Sequence, residues 1–213
     1  MFEGRDLACV RGGRLVFAHL DFTLERGGAL VVAGPNGSGK STLLRLLAGL
    51  LPAHSGQVRF DGATVEEDPE AFHRKLHYVG HLDAAKPTLT VAENLAFWID
   101  LRGGNISRLT PALETFGIAD LRNLPTRVLS AGQRRRLGLA RLVAVPTSIW
   151  LLDEPTIALD RESVATLHDV IGTHLEGGGM AVVATNVPMA IEGAARLELS
   201  SCEPAGADEI LWA

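Results

Sequence analysis

The sequence contains very little cysteine and no excess of basic charge. Two cysteines, Cys9 and Cys202, occur in 213 residues. They lie far apart and form no C-x-x-C pair, which argues against a disulfide framework or a zinc site, so both are expected to be reduced thiols in a cytosolic protein. The formal net charge of −5 gives no electrostatic reason to expect a nucleic-acid partner.

Long apolar runs are absent as well. No run approaches the roughly 18 residues that a membrane-spanning helix needs, and the segment Met1 to Asp6 lacks the charged start and apolar core of a signal peptide. Hydrophobic residues nevertheless make up 46% of the chain, which leaves room for an apolar contact surface in addition to a core. We therefore expect any membrane contact to be made only through partners.

The length and the alternation of apolar patterns favour a single α/β domain. The pattern predicts strands at 7–10, 15–24, 29–33, 57–60, 76–79, 148–152, 180–185 and 196–199. It predicts helices at 43–47, 70–75, 91–101, 108–116, 131–144 and 161–175. We expect antiparallel strands at the N-terminus, then a mainly parallel sheet with a helical subdomain of about residues 87–145 inserted between two of its strands.

A glycine-rich segment follows the predicted strand 29–33 and precedes a predicted helix. Its sequence is Gly34-Pro35-Asn36-Gly37-Ser38-Gly39-Lys40-Ser41-Thr42. Strand, glycine loop and helix form the context in which G-x-x-x-x-G-K-S binds phosphate, because the glycines let successive amides converge on an anion at the helix N-terminus. Lys40 adds a charge for the β and γ phosphates, and the Ser41 hydroxyl can hold Mg²⁺. The segment therefore predicts a nucleoside triphosphate site rather than an ordinary turn.

Two further motifs carry chemistry. The predicted strand 148–152 delivers Asp153 and Glu154 at its C-terminal end, where ligands bind in open α/β sheets. Asp153 can bind Mg²⁺ and Glu154 can polarise an attacking water.

The other motif, Ser130-Ala131-Gly132-Gln133, opens a predicted helix and is either a plain helix cap or a second anion site. One ATP cannot easily use both sites of one chain, so the second interpretation implies a two-fold dimer.

The chain resembles the ATP-binding subunits of ABC transporters in three motifs. In order along the chain, they are the glycine loop, Leu129-Ser130-Ala131-Gly132-Gln133 and Leu151-Leu152-Asp153-Glu154-Pro155. The resemblance covers nearly the whole chain and implies one ATP-binding domain, 1–213, with a P-loop NTPase (RecA-like) core. It implies that ATP binding closes a homodimer, that hydrolysis opens it, and that the motion drives integral membrane subunits.

The resemblance also implies roles for single residues. Lys40 and Ser41 hold phosphate and Mg²⁺, Asp153 supports the metal, and Glu154 is the catalytic carboxylate. The segment from Ser130 to Gln133 grips the γ-phosphate of the other copy, with Ser130 and Gly132 in contact.

Four positions depart from the family pattern. His81 stands where the family usually has a glutamine, and it could still sense Mg²⁺ or the attacking water. Asn186 stands where a histidine is usual, so it can donate a hydrogen bond to the γ-phosphate but cannot carry charge. Ile157 replaces a usual serine, and no aromatic residue stands near Arg11 for adenine to stack on. We expect ATP binding to survive these changes and hydrolysis to be slower or differently gated.

Within the family, the chain resembles the ATP-binding subunit of cytochrome c biogenesis systems, the haem exporters. Short length, Tyr78-Val79-Gly80-His81 and the triple arginine after Gln133 carry this resemblance. It implies a peripheral protein on the cytoplasmic face of a bacterial inner membrane. Another small exporter, a soluble ABC ATPase acting on ribosomes or DNA, and a nucleotide switch with weak hydrolysis are the alternatives.

Three other features are ambiguous. His73, His77 and His81 recur every four residues and suggest either a metal or haem site, with the first pair on one helix face, or a solvated helix face and a nucleotide-site residue. The run Arg134-Arg135-Arg136 is expected to face phosphate or solvent at a helix start rather than nucleic acid. Pro87 to Trp98 is apolar enough to be either the docking surface for a membrane subunit or helix core.

Overall fold

The N-terminal part of the chain forms an antiparallel sheet. The computed structural model describes residues 1–82, 84–187 and 189–200. Strands β1 (Phe2–Arg11), β2 (Arg14–Leu24), β4 (Ser55–Phe60) and β5 (Ala63–Thr64) pair in the order β2-β1-β4-β5. The first two strands flank the tight turn at Gly12 and Gly13, both of which have positive φ. The antiparallel strands expected at the N-terminus, β1 and β2, therefore belong to a separate four-stranded sheet.

A second sheet of five parallel strands forms the centre of the molecule. It contains β3 (Ala29–Ala33), β6 (Leu76–Val79), β7 (Ile149–Asp153), β8 (Met180–Ala184) and β9 (Ala195–Glu198), in the order β6-β7-β8-β3-β9. Every residue of β3, β7 and β8 is buried, as expected for parallel strands covered on both faces.

Helices pack on both sides of the parallel sheet. They are α1 (Lys40–Leu47), α2 (Pro69–Arg74), α3 (Val91–Leu101), α4 (Leu109–Thr115), α5 (Ala131–Ala144) and α6 (Arg161–Glu176). One apolar core joins α1 and α2 with the antiparallel sheet, and a second joins α3 to α6 with the other face of the parallel sheet. The expected α/β fold of the P-loop class is confirmed.

In the described part of the connection between β6 and β7, the regular structure is helical, apart from an isolated bridge between Thr90 and Pro125. The connection carries α3, α4, α5 and short 3₁₀ helices at Ile106–Arg108, Ala119–Leu121 and Thr126–Val128. Thr90 begins α3 with a capping box closed by Glu93, which satisfies amides that the first turn leaves without partners. The division of the chain into one domain with a subdomain of about 87–145 stays a prediction. No helix in the described part of the chain is both long and apolar enough to cross a membrane.

The histidine series is not arranged as the spacing suggested. Helix α2 ends at Arg74, and His77 lies in β6 with 1% exposure, so His73 and His77 do not share a helix face. Each donates to a main-chain oxygen: His73 Nε2 lies 2.9 Å from the oxygen of Ala48, and His77 Nε2 lies 2.8 Å from that of Val145. Among the described residues, no group of three His, Cys, Asp or Glu side chains could hold a metal.

His77 makes stability depend on pH. Burial lowers the pKa of His77 to about 3, so the folded protein keeps it neutral while the unfolded chain protonates it near pH 6.5. The unfolded state therefore binds more protons below pH 6.5, and the free energy of unfolding should fall with pH by up to about 1.4 kcal/mol per unit until the folded pKa is reached.

We predict that His77→Asn removes this component of the pH slope in urea unfolding between pH 6.5 and 4. His54→Asn, at an exposed position, is the matched control and should keep the slope. Some slope should remain in His77→Asn, because burial also lowers the pKa of His174. Equal slopes for His77→Asn and the unchanged protein would contradict the prediction.

Candidate functional site

The glycine loop connects β3 to α1 at the carboxyl edge of the parallel sheet. Gly39 precedes α1 with φ 98°, and a Cβ atom there would lie 2.5 Å from Cγ1 of Val16. Gly34 has φ 147°, and a Cβ atom there would lie 2.2 Å from the main-chain oxygen of Leu199. Both positions therefore require glycine for conformation and for space.

Lys40 lies inside the loop and is 6% exposed. Its Nζ donates to the main-chain oxygens of Gly34 at 2.7 Å and Pro35 at 3.0 Å, and to Oδ1 of Asn186 at 2.5 Å. The ammonium group is thus held at the centre of the loop by three neutral oxygens. Each of these can be exchanged for a phosphate oxygen, which carries more negative charge and binds an ammonium group more strongly.

Asn186 contacts the loop at a second point. Its Nδ2 donates to Oδ1 of Asn36, and its main-chain amide donates to Oε2 of Glu154 at 3.2 Å. The sequence predicts that Asn186 can donate a hydrogen bond to the γ-phosphate, and that role stays a prediction. The structure places it between the loop and the carboxylate, an arrangement that sequence reasoning missed because residues 40 and 186 are 146 positions apart.

Ser41 and Asp153 meet where α1 begins and β7 ends. The Ser41 hydroxyl donates to Oδ1 of Asp153 at 3.0 Å, and Asp153 is fully buried. Oδ2 of Asp153 and Oγ of Ser38 are also buried and have no hydrogen-bond partner among the described residues. A buried oxygen without a partner costs about 1–3 kcal/mol. Because hydroxyl and carboxylate oxygens suit Mg²⁺, this oxygen set fits a divalent cation.

Glu154 adopts an unusual conformation immediately after β7. Its φ is 46°, a left-handed conformation that costs a non-glycine residue about 1–2 kcal/mol. Its main-chain amide donates to the oxygen of Ala184 at 2.8 Å. Oε1 is buried and has no hydrogen-bond partner among the described residues. Strain of this kind concentrates at functional sites, and here it points the carboxylate toward the same edge as Lys40 and Asp153.

The segment from Ser130 to Gln133 forms a complete helix cap. Oγ of Ser130 accepts from the amide of Gln133 at 3.2 Å, and Oε1 of Gln133 accepts from the amide of Ser130 at 2.8 Å. Ser130 and Ala131 are exposed. A Cβ atom on Gly132 would lie 2.7 Å from the oxygen of Ala158, so this segment packs against the loop that contains Ile157. The plain helix cap is therefore what a single chain displays, and a role toward a second copy stays a prediction.

The arginine run is not uniformly solvated. Arg135 is 3% exposed and donates to main-chain oxygens at the ends of β6 and β7, so the expectation that this run faces phosphate or solvent is wrong for Arg135. The signal was available in the sequence. Arg135 shares the apolar face of α5 with Leu139 and Leu142, four and seven residues further on, and both are buried.

The other predicted positions lie on or next to β1 and β6. His81 is exposed just beyond β6, and Arg11 is exposed at the end of β1. Burial raises the pKa of the Cys9 thiol, which keeps it protonated. Cys202 lies outside the described residues.

The segment from Pro87 to Trp98 contributes to the helix core, and its role as a docking surface stays a prediction. Val91 and Leu95 are buried in the second core, as helix core requires. Phe97 is 40% exposed with Nζ of Lys86 3.9 Å above its ring, and the guanidinium of Arg141 lies 4.7 Å from the ring of Trp98.

Comparison with known proteins gives a consistent result. The family model described as "ABC transporter" matches residues 17–157. The protein named "Cytochrome c biogenesis ATP-binding export protein CcmA" of Rhodospirillum rubrum is 52% identical over 204 residues, which cover 96% of this chain and 88% of that protein.

Two solved structures share the fold. A putative ABC transporter ATP-binding protein from Pyrococcus furiosus has a TM-score of 0.82 at 25% identity and covers 93% of this chain and 96% of its own. A dimeric ATP-binding cassette in a post-hydrolysis state, bound to ADP and Pi, has a TM-score of 0.81 at 23% identity and covers 96% of this chain and 98% of its own.

We predict that Lys40→Met lowers the affinity for a fluorescent ATP analogue at least about tenfold in equilibrium titration, because a hydrogen bond to a charged group contributes about 1.5–3 kcal/mol. Lys75→Met removes the same charge at an exposed position and should leave the affinity unchanged. Equal affinities for Lys40→Met and the unchanged protein would mean that this loop is not the phosphate site.

Proposed function

The chain belongs to the ABC transporter family, and from that premise we propose that it hydrolyses ATP to drive a membrane export complex serving cytochrome c biogenesis. The family match and the 52% identity to a named cytochrome c biogenesis export protein support this function. The observation that carries the mechanism is the convergence of Lys40, Ser41, Asp153 and Glu154 at one edge of the parallel sheet.

In the proposed mechanism each group has one task. Lys40 and the loop amides hold the β and γ phosphates, and the oxygens of Ser41 and Asp153 hold Mg²⁺. When bound, Mg²⁺ supplies neutralising charge between those phosphates. The Glu154 carboxylate, with Oε1 unpartnered among the described residues, orients the attacking water and accepts its proton. His81 lies at the same edge, from which it can approach that water.

The γ-phosphate needs a second set of donors, and we place these on another copy of the chain. The N-terminus of α5, with Ser130 exposed and Gly132 beside it, offers amides that suit an anion. Two copies related by a two-fold axis would complete two sites at once. Ile157 is 46% exposed beside this segment, so it would lie at the seam between the copies.

Membrane subunits require a docking surface on this chain. Two exposed apolar side chains lie in the second half of α3, Phe97 with 40% and Leu101 with 59% exposure, and Leu82, nine residues before the helix, is 84% exposed. A cavity of about 230 Å³, lined by residues that include Leu50, Trp98 and Arg102, opens close by. We propose that membrane subunits bind here and hold the chain at the cytoplasmic face of a bacterial inner membrane, and that haem handling is the work of the assembled complex.

A nucleotide switch with weak hydrolysis is the second candidate function. The bond from Lys40 to Asn186 favours it, because ATP must displace an internal partner of the lysine before binding is complete. Asn186 also lacks the charge that a histidine could carry at this position. Turnover measurements separate this function from the first, since a switch binds ATP and forms dimers without rapid hydrolysis.

We predict that Glu154→Gln binds ATP with an affinity within about twofold of the unchanged protein and loses turnover at least about 100-fold, the usual minimum contribution of a general base. The variant should accumulate as a dimer in size-exclusion chromatography with ATP and Mg²⁺. Adding Ser130→Arg should abolish that dimer without loss of ATP binding, whereas Ser107→Arg, at an exposed site elsewhere, should not. Undiminished turnover in Glu154→Gln would contradict the proposed mechanism.

We predict that the full chain, purified from detergent-solubilised membranes of a bacterium expressing the complex, retains integral membrane partners that show haem absorbance. Phe97→Glu should lose these partners, because it places a charge in an apolar contact. Ile106→Glu introduces the same charge at another exposed apolar residue and should keep them. Membrane partners without haem chemistry would favour another exporter, and ribosomes without membrane proteins would refute a transport function.

A further inference from the structure

Arg135 is a buried arginine that is not among the proposed nucleotide contacts. It lies in the first turn and a half of α5 with 3% exposure. Its Nη2 donates to the oxygens of Asp153 and Glu154, both at 2.8 Å. Its Nη1 donates to the oxygen of Gly80 at 2.8 Å, and its Nε donates to that of Pro155 at 3.2 Å. One guanidinium therefore binds four main-chain carbonyls from two separate segments.

These carbonyls belong to the segments that carry the chemistry. Gly80 immediately precedes His81, and Asp153 to Pro155 form the exit from β7. For Glu154, the main-chain oxygen is bound by Arg135 and the main-chain amide is bound by the oxygen of Ala184 at 2.8 Å. Both polar groups of its peptide backbone are thus fixed while φ is held at 46°. A left-handed residue persists only where its surroundings determine it strongly.

The chemistry of arginine suits this position. A guanidinium presents five N–H donors in a rigid plane, and here three of its nitrogens bind oxygens in different directions. Lysine offers one flexible ammonium group and cannot span the same set. The next residue along α5, Arg136, differs clearly, since its Nη1 lies 3.4 Å from the oxygens of Phe116 and Gly117 near the end of α4.

The position of Arg135 also connects two parts of the proposed mechanism. Helix α5 begins with the Ser130 to Gln133 segment, and Arg135 is two residues beyond Gln133. We propose that Arg135 is a positioning residue that fixes the main chain of Glu154 and couples it to this segment. Contact of the segment with the ATP of the other copy then steadies the catalytic carboxylate of its own chain. This rests on the proposed roles of Glu154 and of the segment.

The test compares Arg135→Gln and Arg135→Lys with Arg136→Gln, a matched change one residue further along α5. Loss of positioning should lower kcat about 10- to 100-fold in Arg135→Gln and by a smaller factor in Arg135→Lys, which keeps the charge. The Kd for ATP should stay within about twofold of the unchanged protein, since positioning acts after binding. Arg136→Gln should have kcat within about twofold of the unchanged protein.

A second readout separates coupling from a purely structural role. If the unchanged protein hydrolyses ATP with a Hill coefficient above 1, coupling of the two sites predicts that Arg135→Lys brings it toward about 1. Should Arg135→Gln fail to fold, Arg135→Lys alone decides the question, with thermal unfolding as the check on its fold. Unchanged kcat and Hill coefficient in folded Arg135→Lys would overturn the inference, as would a raised KM with unchanged kcat.

The failure of this inference differs from failure of the proposed function. If Glu154→Gln abolishes turnover while the Arg135 variants behave like the unchanged protein, the inference alone is wrong. If turnover does not depend on Glu154, the proposed mechanism is wrong whatever the Arg135 variants show. If Glu154→Gln already removes turnover, adding Arg135→Lys should lower the residual rate no further, because residues acting as one unit are not additive.

Discussion

The parallel pairing of β7, β8 and β3 is the constraint on which the site depends. Their register sets Asp153 opposite Ala184 and Ala184 opposite Val32, so the three strands end within a residue or two of one another. The glycine loop, Glu154 and Asn186 all leave the sheet from that edge. Main-chain hydrogen bonds thus bring together side chains from three distant parts of the sequence, and a one-residue slip in any strand would turn its side chains to the opposite face.

What the sequence predicts well is local. The glycine loop, the two capped helices beginning after Thr90 and Ser130, and the buried strands are each specified by residues within a few positions of one another. The fold class follows from their order. The bond between Lys40 and Asn186 was not foreseen, because residues far apart in sequence meet only once the sheet exists. The strand predicted at 76–79 contains His77, as the structure confirms, whereas the four-residue spacing of the histidines does not say where a helix ends and a strand begins.

The site is held in a conformation that is unfavourable when taken alone. Ser38 Oγ, Asp153 Oδ2 and Glu154 Oε1 are buried without protein partners among the described residues, and Glu154 has positive φ. Such costs are tolerated when the surrounding structure determines the geometry. Here the surroundings are two apolar cores on opposite faces of one sheet. The carboxylate oxygens suit a cation and the Ser38 hydroxyl can donate to a phosphate, so the groups that are costly to bury are also the groups that can bind.

The side chain and the main chain of Glu154 each accept a hydrogen bond, and these two bonds bear on the proposed gating of hydrolysis. Its side chain accepts from the amide of Asn186, whose Oδ1 accepts from Lys40. Its main-chain oxygen accepts from Arg135. In the proposed mechanism, a phosphate that took Lys40 away from Asn186 would act on the carboxylate through a single residue, and events at the start of α5 would act on it through another. Because asparagine cannot take up a proton as histidine can, the first path works through hydrogen-bond exchange alone. The proposed gating of the carboxylate would then depend on geometry rather than on a change of protonation at residue 186.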